Sequence, residues 1–125
     1  METEPVDYKQ YHDDFPRALQ LAKYHLKEWG KIEKDITALS DEEKEFAIRL
    51  YATLKHMTEE ERQLLGDKYR VDVFGRYANP DLELAKQYEM ELDYYRRLRK
   101  GIEYKFFYYL REHIADLLED LGYYD

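Results

Sequence analysis

The sequence predicts an all-α fold: a small helical domain of about five helices, with a C-terminal helix-turn-helix and a long final helix. Three observations carry this. Gly and Pro together fill only eight of 125 positions, which leaves few breakers for the turns of a sheet protein. Charged residues make up 38% of the chain, a composition suited to solvated helix faces. Apolar residues recur at three- and four-residue spacing over most of the length, the period of one helix face.

Residues 1–14 are polar and acidic, carry no period and read as frayed. Asp14, Phe15 and Pro16 mark a helix start, with Pro16 near the first helical position. Leu19, Ala22, Leu26 and Trp29 form its inner face, Gly30 either ends or kinks it, and Ile32, Ile36 and Leu39 carry the stripe on to Ser40. Ser40 and Glu43 have capping-box spacing ahead of Phe46, Ala47, Leu50, Tyr51 and Leu54. Thr58 and Glu61 repeat it ahead of Leu64, Leu65 and Tyr69. Acids in that first turn and Lys68 and Arg70 at the far end both oppose the helix macrodipole. Residues 71–78 read as a loop, because Val71 and Val73 alternate like a strand but have nothing to pair with. Asn79 and Pro80 restart a helix as cap and first helical residue. The final helix is expected from Leu92 to about Leu121, interrupted only at Gly101. Residues 1–56 are then a helical segment of no assigned role, and residues 57–125 the helix-turn-helix region with an amphipathic tail.

Several function classes fall away. A chain of 125 residues that is 44% hydrophobic makes one domain with a real core. No apolar run is long enough to cross a bilayer, and the start METEPVDYKQYHDD is no secretory signal, so a cytoplasmic location is expected. The absence of cysteine excludes disulfides, thiolate metal sites and cysteine catalysis. His12, His25, His56 and His113 include no pair at helical ligand spacing, so no metal is expected unless distant parts of the chain assemble a site. Glu59, Glu60 and Glu61 read as a helix N-terminus rather than an acid cluster for chemistry. No phosphate-binding glycine loop and no His-flanked nucleophile is visible, so neither an enzyme nor a cofactor is expected.

The informative stretch is DLELAKQYEMELDYYRRLRKG, residues 81–101. Leu84, Ala85 and Tyr88 would face inward on a short helix, with Glu89, Met90 and Glu91 as the turn and Tyr95, Leu98, Ile102 and Phe106 as the inner face of the next helix. Small Ala85 stands at the fifth position, where two helices approach. Glu89 stands where glycine is the usual turn residue. At about 100° per residue the opposite face carries Asp93, Arg97, Lys100 and Tyr104, with Arg96 to one side and Arg99 near the buried flank, within reach of an acid. Residues 94–111 hold six cations and one acid, whereas residues 112–125 hold five acids and no Lys or Arg, in a chain of net charge −8. Positive charge is thus gathered on one stretch of helix, as a major-groove recognition helix requires. Arg96, Arg97, Lys100 and Tyr104 are the candidate contacts to the groove and nearby phosphates. Lys105 and Arg76 are secondary phosphate candidates, and Lys68 and Arg70 could add backbone contacts. The competing reading is an ordinary helical hairpin whose cations pair with some of the 28 acids.

Residues 57–111, from MTEEERQLLGDKYR to the aromatic run after YYRRLRKG, resemble phage-type transcriptional regulators of the ArpU/RinA kind, relatives of the promoter-reading fourth region of sigma factors. The matching positions are Glu60, Glu61, Arg62, Leu65 and Tyr69, then Leu84 and Ala85, then Tyr94, Tyr95, Leu98, Arg99 and Lys100. The resemblance implies a phage- or prophage-encoded regulator that binds double-stranded promoter DNA, with or without RNA polymerase contact. Beyond it, Ile114, Leu117, Leu118 and Leu121 form an amphipathic tail flanked by Tyr108, Tyr109, Tyr123 and Tyr124. This tail either packs on the N-terminal helices or forms the seam of a homodimer, which would suit two half-sites about 34 Å apart. The rival function is a small acidic phage protein that binds and inhibits or redirects a host protein, as a possible DNA mimic; net charge −8 and fourteen tyrosines favour it.

Overall fold

The computed structural model describes residues 7–11, 16–70 and 80–114. Five α-helices are found among the described residues: α1 Pro16–Lys34, α2 Asp41–Leu54, α3 Glu59–Leu65, α4 Asp81–Gln87 and α5 Leu92–Leu110. Three-ten turns stand at Tyr8–Tyr11 and Arg111–His113, and no strand occurs among the described residues. None of these helices is long and apolar enough to cross a membrane.

The starts of α2 and α3 follow from their caps. The Glu43 N–H donates to Ser40 Oγ at 3.2 Å and the Ser40 N–H to Glu43 Oε1 at 2.9 Å. At α3 the Glu61 N–H donates to Thr58 Oγ1 at 3.2 Å and the Thr58 N–H to Glu61 Oε1 at 2.8 Å. Each box satisfies two amide donors that the helix cannot satisfy itself. Leu65 is followed by a π-turn, Gly66–Arg70, whose wider winding ends with Tyr69 buried in the core.

Gly30 neither ends nor interrupts α1. A Cβ there would stand 3.0 Å from the Arg70 carbonyl oxygen and 3.3 Å from that of Tyr69. The glycine lets the backbone of the π-turn lie against the helix. The stripe stops earlier than expected: α1 ends at Lys34, Ile36 is exposed and Leu39 half-buried. Pro80 sits one position before α4 rather than inside it, and Asn79 lies outside the described residues.

α5 is the axis of the domain. It packs against α1, α2, α3, α4 and the turn at Tyr8–Tyr11. From Ile102 onward most of it is buried, with Phe106 and Leu110 fully covered and Ile102 and Phe107 nearly so. Burying side chains of this size stabilises by about 1.5–3 kcal/mol each. One apolar cluster runs from Ala22 to Ile114, so the described residues before and after position 56 share a core. The helical path passes Gly101 unbroken, tightens at Arg111–His113 and leaves helical geometry at Ile114, φ −133°. Ile114 is buried; Leu117, Leu118, Leu121 and the last tyrosines lie outside the described residues.

Residues 7–11 correct the expectation of a frayed N-terminus. The Tyr8 ring lies on Gly101 so closely that a Cβ there would come within 2.6 Å of Tyr8 Cβ, and Tyr8 Oη donates to Glu61 Oε2 at 2.6 Å. Tyr11 packs edge-on to Tyr108, 5.3 Å between centroids.

The turn between α4 and α5 closes as a Schellman motif. The Met90 N–H donates to the Ala85 carbonyl at 2.8 Å and the Glu89 N–H to that of Lys86 at 3.1 Å. Glu89 takes φ +55°, the conformation glycine adopts at little cost. Glu89→Gly should therefore raise stability by about 0.5–1 kcal/mol, read as an increased urea midpoint at unchanged slope.

Candidate functional site

Most of the positive charge of α5 is answered from inside the fold. Asp81, the first residue of α4, receives three cations: Lys68 at 2.8 Å, Arg99 at 3.1 Å and Arg96 at 3.3 Å. Arg99 also pairs with fully buried Glu103 one turn on, reaching its second oxygen at 3.1 Å. Tyr69 Oη donates to Glu103 at 2.9 Å. This polar cluster joins the π-turn, the start of α4 and the middle of α5, at the root of the helix-turn-helix unit. Burial works against the charge on Arg99, but the carboxylates of Glu103 and Asp81 outweigh it and hold its pKa above the ordinary range. Burial likewise acts to raise the pKa of Asp81, yet the Lys68 hydrogen bond and the Arg99 charge prevail and hold it below the usual carboxylate value.

A second buried pair lies one to two turns further along α5. Lys105 Nζ meets Glu61 Oε1 at 2.8 Å with both side chains almost wholly covered. Glu61 therefore closes the α3 capping box, accepts from Tyr8 and neutralises Lys105. Burial acts to raise its pKa, but the hydrogen bonds from Lys105, Tyr8 and the Thr58 amide win and lower it.

Against this background the expected contact residues separate. Arg97 and Lys100 are exposed on the outer face of α5 and make no ion pair with any described residue. Arg96 is 49% exposed while it leans on Asp81, and Tyr104 is half-buried. Tyr94 extends the exposed face, with Asp93, Glu89 and Glu91 bordering it. Lys105 is a correction: it was expected as a secondary phosphate contact, but α3 and the N-terminal turn close over it and it is consumed by Glu61. Lys68 is likewise drawn to Asp81. Arg70 is exposed, with its guanidinium 6.0 Å from the Trp29 ring centre. Arg76 lies outside the described residues.

Two further features stand away from this face. A groove of about 430 Å³ is bordered by Trp29, Glu33, Tyr51, Arg62 and Arg70, and in it Tyr51 donates to Glu33 at 2.7 Å. Burial, with that hydrogen bond, pushes the Tyr51 phenol up to about 12. The fold also brings together His56, Glu112 and His113, which no helical spacing connects.

The residues that sequence reading missed are the acids. The Arg99–Glu103 pair has the i, i+4 spacing that signals a helical ion pair. Asp81 and Glu61 reach their partners across 18 and 44 positions and left no such signal. No family model, curated protein or solved structure matches the chain.

The buried pairs fix a pH dependence. Asp81 and Glu61 have folded-state pKa values below their unfolded ones, so their contribution is complete above the ordinary carboxylate range and is lost as pH falls through the lower, folded values. Urea midpoints should begin to fall below about pH 6.5, where His25, whose pKa burial holds below the ordinary imidazole value, resists the proton that the unfolded chain takes up, and fall more steeply below about pH 4 as the carboxylates are protonated. Glu61→Gln should cost on the order of 2–4 kcal/mol at pH 7, because Lys105 stays buried without its counter-charge, and should flatten the acid limb.

Proposed function

We propose that the chain is a sequence-specific binder of double-stranded DNA acting in transcription control, as a phage or prophage regulator, and that it reads DNA with the first three turns of α5. The observation that carries this reading is the pairing of Arg97 and Lys100, exposed and without ion-pair partners among the described residues, with the turn that precedes them. That turn has nearly fully buried Ala85 at the close approach, a left-handed residue at Glu89 and half-buried Met90 behind it. These are the features by which a helix-turn-helix presents the start of its second helix to the major groove. The resemblance of residues 57–111 to ArpU/RinA-type regulators points the same way.

Arg97 would supply a guanidinium fork to a guanine edge or a phosphate, Lys100 and Arg96 would meet the backbone, and Tyr94 and Tyr104 would flank them. The bordering acids keep the contact small, at about two to four phosphates per protomer, so occupancy of an operator calls for a second copy or for RNA polymerase on the same promoter.

A second reading has its own observation. Leu82 on α4 and Tyr94 on α5 are each exposed with acidic neighbours in sequence, Glu83 for the one and Asp93 for the other, a mixed apolar and acidic character suited to a host protein.

Gel retardation on the DNA upstream of the chain's own operon, across a salt series, separates the two. DNA reading predicts that log affinity falls linearly with log salt, at about −0.9 per phosphate neutralised. Arg97→Ala with Lys100→Ala should lower affinity, flatten that slope by about two units and leave the melting temperature within about 2 °C of wild type. Absence of binding at low salt refutes DNA reading and leaves the protein-partner reading.

A further inference from the structure

We propose that His56, His113 and Glu112 form a surface site for a divalent transition-metal ion of the zinc type, which clamps the α2–α3 junction to the end of α5. The proposal is independent of DNA binding. One nitrogen from each imidazole and one carboxylate oxygen of Glu112 all lie within 4.8 Å of one another. The residues come from two separate places in the chain. His56 is in the turn after α2, and Glu112 and His113 are in the three-ten turn that ends the helical path of α5.

Both places are held by the core immediately beside the ligands. Met57, next to His56, is 4% exposed, and its N–H donates to the Leu54 carbonyl at 3.0 Å. Ile114, next to His113, is 3% exposed. The His56 ring is stacked on Tyr109 at 4.5 Å and an interplanar angle of 3°, and the His113 ring lies 6.1 Å from it, centre to centre. The His56 ring plane is therefore set by packing, while all three ligand-bearing side chains are exposed and form no hydrogen bond or ion pair with a described residue.

The donor set selects the ion. Two imidazoles and a carboxylate are the nitrogen and oxygen donors of zinc and its neighbours, whereas magnesium and calcium take oxygen ligands alone. Tetrahedral bonds of about 2.0–2.2 Å bring ligand atoms to about 3.4 Å apart, so side-chain torsions on Glu112 and His113 need close at most about 1.4 Å. The fourth position is left to water. Bound there, the ion would fasten the tip of α5 to the junction before α3.

The test uses the whole chain and metal chloride as the probe. Calorimetric titration with Zn²⁺ should show one saturable equivalent, undisturbed by excess Mg²⁺, and Co²⁺ should give the visible absorption of a low-symmetry, four-coordinate site. His56→Gln and His113→Gln should each weaken binding by about tenfold or more. At about a hundredfold excess over Kd, Zn²⁺ should raise the melting temperature of wild type by several degrees and that of the two variants by much less. Because all three residues are exposed, the variants should fold, which circular dichroism checks. Absence of saturable binding, or binding and thermal stabilisation that survive in both histidine variants, overturns the proposal.

Discussion

The fold turns on the meeting of Arg99 with Asp81. An arginine in the middle of α5 is almost wholly buried, which is tolerable only where its charge is answered; both Nη groups find carboxylates, while Nε has no hydrogen-bond partner among the described residues. Glu103 supplies one partner from the same helix. Asp81 supplies the other from the first residue of α4, and in doing so fixes where α4 begins relative to α5. Lys68 reaches the same carboxylate from the π-turn, and Tyr69 beside it donates to Glu103. Three segments that are distant in sequence are thereby brought into register by a few oxygens. The apolar contacts of Leu84, Ala85 and Tyr95 supply burial, but burial is non-directional, and the directional choice falls to the polar cluster.

This divides the cations of α5 into two populations with opposite tasks. Arg99 and Lys105 face acids inside the domain and stabilise it only as members of pairs. Arg97 and Lys100 face outward and contribute little to the fold, which leaves them available to a polyanion. The helix is divided along its length as well. Its first turns are open on one side, and from Ile102 onward most of its residues are buried by the other helices and by the turn that carries Tyr8. A helix rooted in this way holds its open end rigidly, and rigid placement is what reading a groove demands.

Much of this was legible in the sequence. The capping boxes at Ser40 and Thr58, the inner positions of α4 and α5 and the small residue Ala85 follow from short-range spacing, and the structure has them all. Arg99 at the buried flank was legible for the same reason, since its direction depends only on the helical period. Lys105, seven residues after Leu98, lies on the inner flank by the same period, but its partner was not legible, because Glu61 arrives from another segment. Tyr8 itself has no local helical pattern, and its position depends on the absence of a side chain at Gly101. Gly30 read as a helix end or a kink because glycine is permissive, whereas the π-turn needs it for close approach. The grouping of His56 with Glu112 and His113 is likewise a product of the fold, invisible to any spacing rule.

The most direct test of this account is a double-mutant cycle between Asp81 and Arg99, with Asp81→Ala and Arg99→Met made singly and together and stability read from urea unfolding. The account predicts that the two losses fail to add, with a coupling of about 1–3 kcal/mol in favour of the native pair. Additive losses, with coupling near zero, would mean that the α4–α5 arrangement does not depend on this contact, and would contradict the account at its base.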